Sequence, residues 1–149
     1  MHRFHFSLDG LLRIREYHEH QRELELGRAT ARYEQVLSQM RALQAERQET
    51  SEEMRGTDLS SRLSHGHYLA LIEQTLEELE ERRRSLEAAR NEALGEYTEA
   101  HKERKVIDNL RERRSREHYR KEARHADREL NEIGSIRAAM RRHEEEQNG

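Results

Sequence analysis

Three groups of residues in this sequence are dense enough in functional side chains to define a site. The first is histidine, present ten times. His18 and His20 are two apart, so on a helix they point to different sides. His65 and His67 flank Gly66 and form a pair that could chelate. No HExxH, no cysteine and no carboxylate constellation supports them. They read as solvated polar residues, and neither a metal nor a cofactor is expected. The second group is the block Glu77, Glu78, Glu80 and Glu81 followed by Arg82, Arg83 and Arg84. Catalytic carboxylate pairs need a cleft that shifts their pKa values. On a helix this block instead predicts i,i+4 ion pairs, Glu78–Arg82 and Glu80–Arg84. There is no glycine-rich phosphate loop either, so the chain is not expected to be an enzyme. The third group is the belt ERKVIDNLRERRSREHYRKE, Glu103 to Glu122, which crowds together Arg111, Arg113, Arg114, Arg116, Arg120 and Lys121. Three readings of the belt stand at this point. It is a solvated face, since Glu103, Asp108, Glu112, Glu117 and Glu122 are interleaved with the bases. It contacts nucleic-acid phosphates, although a dedicated binder shows a more one-signed face and stacking aromatics, and only Tyr119 is available here. Or it meets an acidic protein surface.

The composition sets what can position these groups. Of 149 residues, 40% are charged and only 32% hydrophobic; Trp, Cys and Pro are absent. A compact domain of this size needs a thicker apolar core. Disorder would bring Pro, Ser and Gly enrichment. Ala, Leu, Glu, Gln, Arg and Lys dominate instead, and these are strong helix formers. The chain carries 28 basic and 31 acidic residues, net -3, with the signs interspersed, so no global field points to nucleic acid. The opening MHRFHFSLDGLLRIRE has no apolar run long enough for a signal peptide. No stretch approaches the roughly 20 apolar residues of a membrane span. A soluble cytoplasmic protein is expected.

Periodicity supplies the elements. Ser7 is the expected N-cap of a first helix, with Asp9 in its first turn. Apolar or small residues recur at Leu26, Ala29, Tyr33, Val36, Met40 and Leu43, steps of three and four that mark a heptad seam. Extended backwards, the frame meets Leu8 and Leu12 but also Arg15, Glu19 and Arg22, where the seam is expected to be weak. The interruption RGTDLSSRLSHGHY, Arg55 to Tyr68, is the one turn signal of the chain. A second frame reads Ile72, Leu76, Leu79, Arg83, Leu86, Arg90, Ala93, Tyr97, Ala100, Arg104 and Ile107. Its arginines are tolerable because their stems pack while their heads reach water. The expected fold is all-α: one long antiparallel two-helix coiled-coil hairpin, a single domain over 1–149, with helix one about 8–53, turn about 55–66 and helix two about 66–143.

The two arms are unequal. About 45 residues make about 68 Å of helix and about 78 make about 117 Å, so the start of helix one lies opposite roughly Glu112. Beyond it a displaced stripe continues: Tyr119, Ala123, Ala126, Leu130, Ile133, Arg137 and Met140. A stripe without an internal partner implies an external one, a second copy or another protein.

The opening FSLDGLLRIREYHEHQRELELGRA resembles the flagellar FliJ family, whose members begin with a phenylalanine, a leucine pair and a charged first helix. ERKVIDNLRERRSREHYRKEARHADRELNEIGSIR is similar to the family's second-helix pattern; Asn131-Glu132 stands where the family often has Asp-Glu. The resemblance implies a non-enzymatic cytoplasmic component of the flagellar type III export apparatus, peripheral at the inner membrane when docked. It implies a stalk-like coil that enters the hexameric export ATPase, promotes ring assembly and contacts the cytoplasmic domain of the export gate, with links to export chaperones. It turns the belt toward an acidic protein surface, with no nucleic acid expected. Ring contacts are then expected at Arg111, Arg113, Arg114, Arg116, Tyr119, Arg120, Leu130 and Ile133. By the match of EQTLEELEERR, gate contacts are expected at Ile72, Leu76, Leu79 and Arg83, which are also seam positions. The alternative is a general coiled-coil chaperone or scaffold for export clients or their chaperones.

Overall fold

The computed structural model describes residues 2–149. It is all-helical: α1, Asp9–Met54, and α2, Leu59–Gln147, run back along one another as a hairpin, α2 being the longer with 89 residues against 46. The chain falls into two compact units. The hairpin unit is Glu16–Lys102; the terminal unit combines the residues up to Arg15 with Glu103–Gly149.

In the hairpin unit the seam follows the heptad frame. Val36 and Ile72 are 2% and 3% exposed, Ala100 and Thr50 are buried, and Leu26, Ala29, Tyr33, Met40, Leu43, Leu76, Leu79 and Leu86 are half-buried. Complete burial of a side chain such as Ile72 stabilises by about 1.5–3 kcal/mol. The frame's polar positions are answered across the seam. The Glu19 carboxylate lies 2.9 Å from His101 Nδ1, and Arg22 donates to Glu96 at 2.9 Å. In the terminal unit Arg15 meets Glu103 at 2.5 Å in the same manner. The expected weak stretch is therefore a run of cross-helix polar pairs, with arginine–carboxylate pairs at Arg15 and Arg22. Half-exposed pairs add little net stability, but each constrains which turn of α2 can face which turn of α1.

The turn is shorter than the expected 55–66. It comprises only the four residues between Met54 and Leu59. Arg55 and Gly56 donate to the Glu52 and Glu53 carbonyls at 3.2 and 3.4 Å, and the Thr57 hydroxyl donates to the Met54 carbonyl. Together they satisfy acceptors that the end of a helix leaves open. Asp58 then caps α2. Its carbonyl accepts from Arg62, and its carboxylate is held below its ordinary pKa by hydrogen bonds from the Ser61 hydroxyl and backbone N–H. With so strong a cap, the Ser- and Gly-rich stretch that read as loop is the first two turns of α2. Gly66 sits inside the helix, opposite the Met54 methyl group.

At the other end Ser7 is not the N-cap. Leu8 supplies the first helical carbonyl, to Leu12 N at 2.9 Å, and Asp9 closes a turn onto Phe6 O. The Ser7 hydroxyl is used elsewhere, as described next.

Candidate functional site

Residues 2–6 have no regular secondary structure and pack along α2 within the terminal unit. An extended chain alternates its side chains, and here Phe4 and Phe6 are inward while Arg3 and His5 are exposed. Phe6 is 4% exposed, and the two phenylalanine rings stack at 6.4 Å. Phe4 also meets the His118 ring at 5.6 Å. Two polar contacts hold the segment: Arg114 donates to the Ser7 hydroxyl at 3.2 Å, and His118 Nε2 donates to the His2 carbonyl at 2.9 Å. The Arg114 guanidinium also lies over the Phe6 ring, 5.8 Å from its centroid.

The belt is thereby divided. Arg114 is committed to the N-terminal segment. Arg111 and Arg116 line a groove with Arg3, Phe4, Ser115 and Tyr119. Arg113 points away, 74% exposed in its side chain, and reaches Glu117 at 3.3 Å. Arg120 is exposed. Tyr119 is half-exposed and stands edge-on to His118. Leu130 and Ile133 lie further along α2 in the same unit. Past Glu122 every residue except Ala138 is exposed, and Leu130, Ile133, Ile136 and Met140 all present apolar surface there. Sequence reasoning missed the partnership of Arg3, Phe4, Phe6 and His118 with the belt. The signal was present in the alternating HRFHF, which has the period of an extended strand and no place in a heptad.

The second set of expected contacts lies in the hairpin unit, within the seam. Ile72 is buried, and Leu76, Leu79 and Arg83 are half-buried. Arg83 binds Glu80 at 2.8 Å and Glu87 at 3.0 Å. Its hydrogen bond is the main reason the Glu80 carboxyl is held down to about 2; Arg84 adds to it at 3.4 Å. Arg83 itself is raised above its ordinary value, first by Glu80 and then by the Tyr33 hydroxyl. Tyr33 also carries Arg90 over its ring at 4.3 Å. Of the two expected pairs in this block, Glu80–Arg84 forms, while Arg83 rather than Arg82 is the hub. Leu76 opens on one side into a groove with Met40, Gln44 and Arg47. Near the turn, Leu59 and Leu63 are well exposed. Among the described residues no group of three His, Asp or Glu side chains is placed to hold a metal ion.

The belt and the exposed apolar stripe both lie in the terminal unit, and comparison with known proteins places the chain in a family. The family described as Flagellar FliJ protein matches residues 4–144. This chain belongs to that family. No curated protein and no solved structure matches it. As a FliJ-family chain it is a component of the flagellar export apparatus and serves motility. The match takes in Phe4, Phe6, the whole of both seams and the exposed stripe through Met140. No described helix is long and apolar enough to cross a membrane.

Proposed function

We propose that this chain is a non-enzymatic, stalk-like coiled coil of the cytoplasm that docks its terminal unit into the hexameric export ATPase and promotes ring assembly. The observation that carries the reading is the bare part of α2. Leu130, Ile133, Ile136 and Met140 are 47–66% exposed, in the same unit as the belt arginines. An apolar face of this kind beside unpaired bases fits a partner that is apolar in its bore and acidic at its rim. Ring contacts are assigned to Arg111, Arg113, Arg116, Tyr119, Arg120, Leu130 and Ile133. Arg114 acts chiefly through the N-terminal segment it holds. When docked, the chain sits peripherally at the cytoplasmic face of the inner membrane.

The gate contact is proposed on the α2 turns that carry Ile72, Leu76, Leu79 and Arg83. With Ile72 buried, Leu76 is the member of the set open to a partner through its groove. A second reading draws on the same exposed stripe: its three-and-four spacing also suits an amphipathic helix of an export client or chaperone, or a second copy of this chain.

The test is the hydrolysis rate of the cognate export ATPase against added protein, with ring assembly followed in the same samples. Both should rise, and the Arg113→Glu, Arg114→Glu, Arg116→Glu triple variant should suppress the rise. No response in either readout, with client or chaperone binding retained, would transfer the function to the scaffold reading.

A further inference from the structure

We propose that the groove between the N-terminal segment and the belt is a binding site for an acidic protein segment that carries an apolar or aromatic side chain, and that Arg3 and Phe4 are binding residues of it. Three guanidinium groups line this groove: Arg3, Arg111 and Arg116. Among the described residues none of the three has a side-chain hydrogen bond or ion pair, whereas Arg104, Arg113 and Arg114 on the same stretch of α2 each have one or the other. Two acids also line it. Asp108 is already matched by Arg104 at 3.5 Å, which leaves Glu112 as the one unmatched acid against three unmatched bases. The surplus is positive and local, in a chain whose net charge is negative.

The walls are aromatic. Phe4 closes one side and the half-exposed Tyr119 lines the groove with it. Arginines next to aromatic faces are the composition of binding hot spots. The groove is also preorganised. Arg3 and Phe4 sit between two fastened points, the His2 carbonyl on His118 and the buried Phe6 with Ser7 on Arg114. Less ordering is then left to be done on binding. Carboxylates suit the planar forks of the arginines. Asp108 and Glu112 interrupt the bases in the groove, which is not the one-signed track of a phosphate backbone, so a peptide is favoured over a nucleic acid.

The identification of this segment with part of the export ATPase rests on the function proposed above; the site itself does not. Two binding measurements on the full chain separate them, one with the export ATPase and one with a labelled glutamate-rich peptide bearing a central phenylalanine. Arg3→Glu and Arg111→Glu are each expected to weaken the peptide by about tenfold or more, and Phe4→Ala by several-fold. Arg124→Glu makes the same change of charge outside the groove, at an exposed position of the same unit, and is expected to stay within about twofold at moderate salt, where separated exposed charges are screened. Far-UV circular dichroism should be unchanged in all four variants. If the ATPase follows the same order, the groove is its docking point; if only the peptide does, the groove stands and the ATPase assignment falls. Equal losses for Arg124→Glu and Arg111→Glu would overturn the groove in favour of a diffuse field. Failure of the peptide to bind, or displacement of it by single-stranded RNA at equal charge, would overturn it as well.

Discussion

The two units of this chain are made of the same residue types and the same helices, yet they close in different ways. The hairpin unit closes on itself: Val36 and Ile72 are nearly inaccessible, and its polar seam positions find partners across the pair. The terminal unit closes around Phe6 and Leu12, and past Glu122 its α2 is left bare. The difference shows that a heptad pattern measures a capacity for pairing, not the pairing itself. Tyr119 to Met140 has a stripe as regular as that of Ile72 to Ala100, but α1 offers nothing opposite it.

The sharpest way to break this comparison is truncation. Removal of residues 123–149 is expected to abolish binding to the export ATPase while the thermal midpoint of the hairpin barely moves, since almost every residue removed is exposed. Loss of the hairpin's cooperative melt in that variant would show that the bare helix is structural after all. Next in size are paired core and stripe substitutions. Ile72→Ala should destabilise by about 2–4 kcal/mol through lost burial and a cavity. Ile133→Ala should stay within about 0.5 kcal/mol in the free protein, which denaturant titration would resolve.

Phe6→Ala probes the terminal unit alone. It is expected to release residues 2–7 without melting α1, seen as faster amide exchange there and loss of the Phe4–His118 ring contact in NMR spectra. Unchanged exchange would mean that Arg114 and His118 suffice to hold the segment. The smallest effect expected is electrostatic, in the hairpin unit. Glu80 is held at about 2 by Arg83, below its ordinary value of 4.5. A depressed carboxylate contributes stability that is present above the ordinary value and is lost as pH falls toward the folded one. Acid unfolding of the Glu80→Gln variant should therefore be flatter than that of the native chain between about 4.5 and 2, with the difference shrinking in high salt because the pair is only half-buried.

Much of the fold was legible in the sequence because a two-helix coil is specified locally. The frame through Leu26, Tyr33, Val36 and Met40 and the frame through Ile72, Leu79 and Ala100 both lie in the seam, and Arg15, Glu19 and Arg22 lie there too. Errors came where local signals competed. Gly66 and three serines outweighed the Asp58 cap in the reading of the turn, although a capped helix supported by packing tolerates them at about 1 kcal/mol per glycine. Ser7 had the right residue type for a cap but was drawn to Arg114.

The candidate site was legible only in part. Belt composition named Arg111, Arg113, Arg114, Arg116 and Tyr119, but not that Arg113 and Arg114 are spoken for.

Helical content, the hairpin, the unequal arms and the family follow from the sequence by itself. Heptad spacing, helix propensity and one turn act over short distances, and every part of the chain states them independently. What only the tertiary structure decided is the fate of each charge and each aromatic ring. Arg113 and Arg114 are neighbours of identical chemistry, yet one pairs with Glu117 a turn away and the other binds Ser7, 107 positions distant. That assignment depends on where α1 begins relative to α2 within the terminal unit, a register that the Arg15–Glu103 pair constrains and that no local pattern encodes.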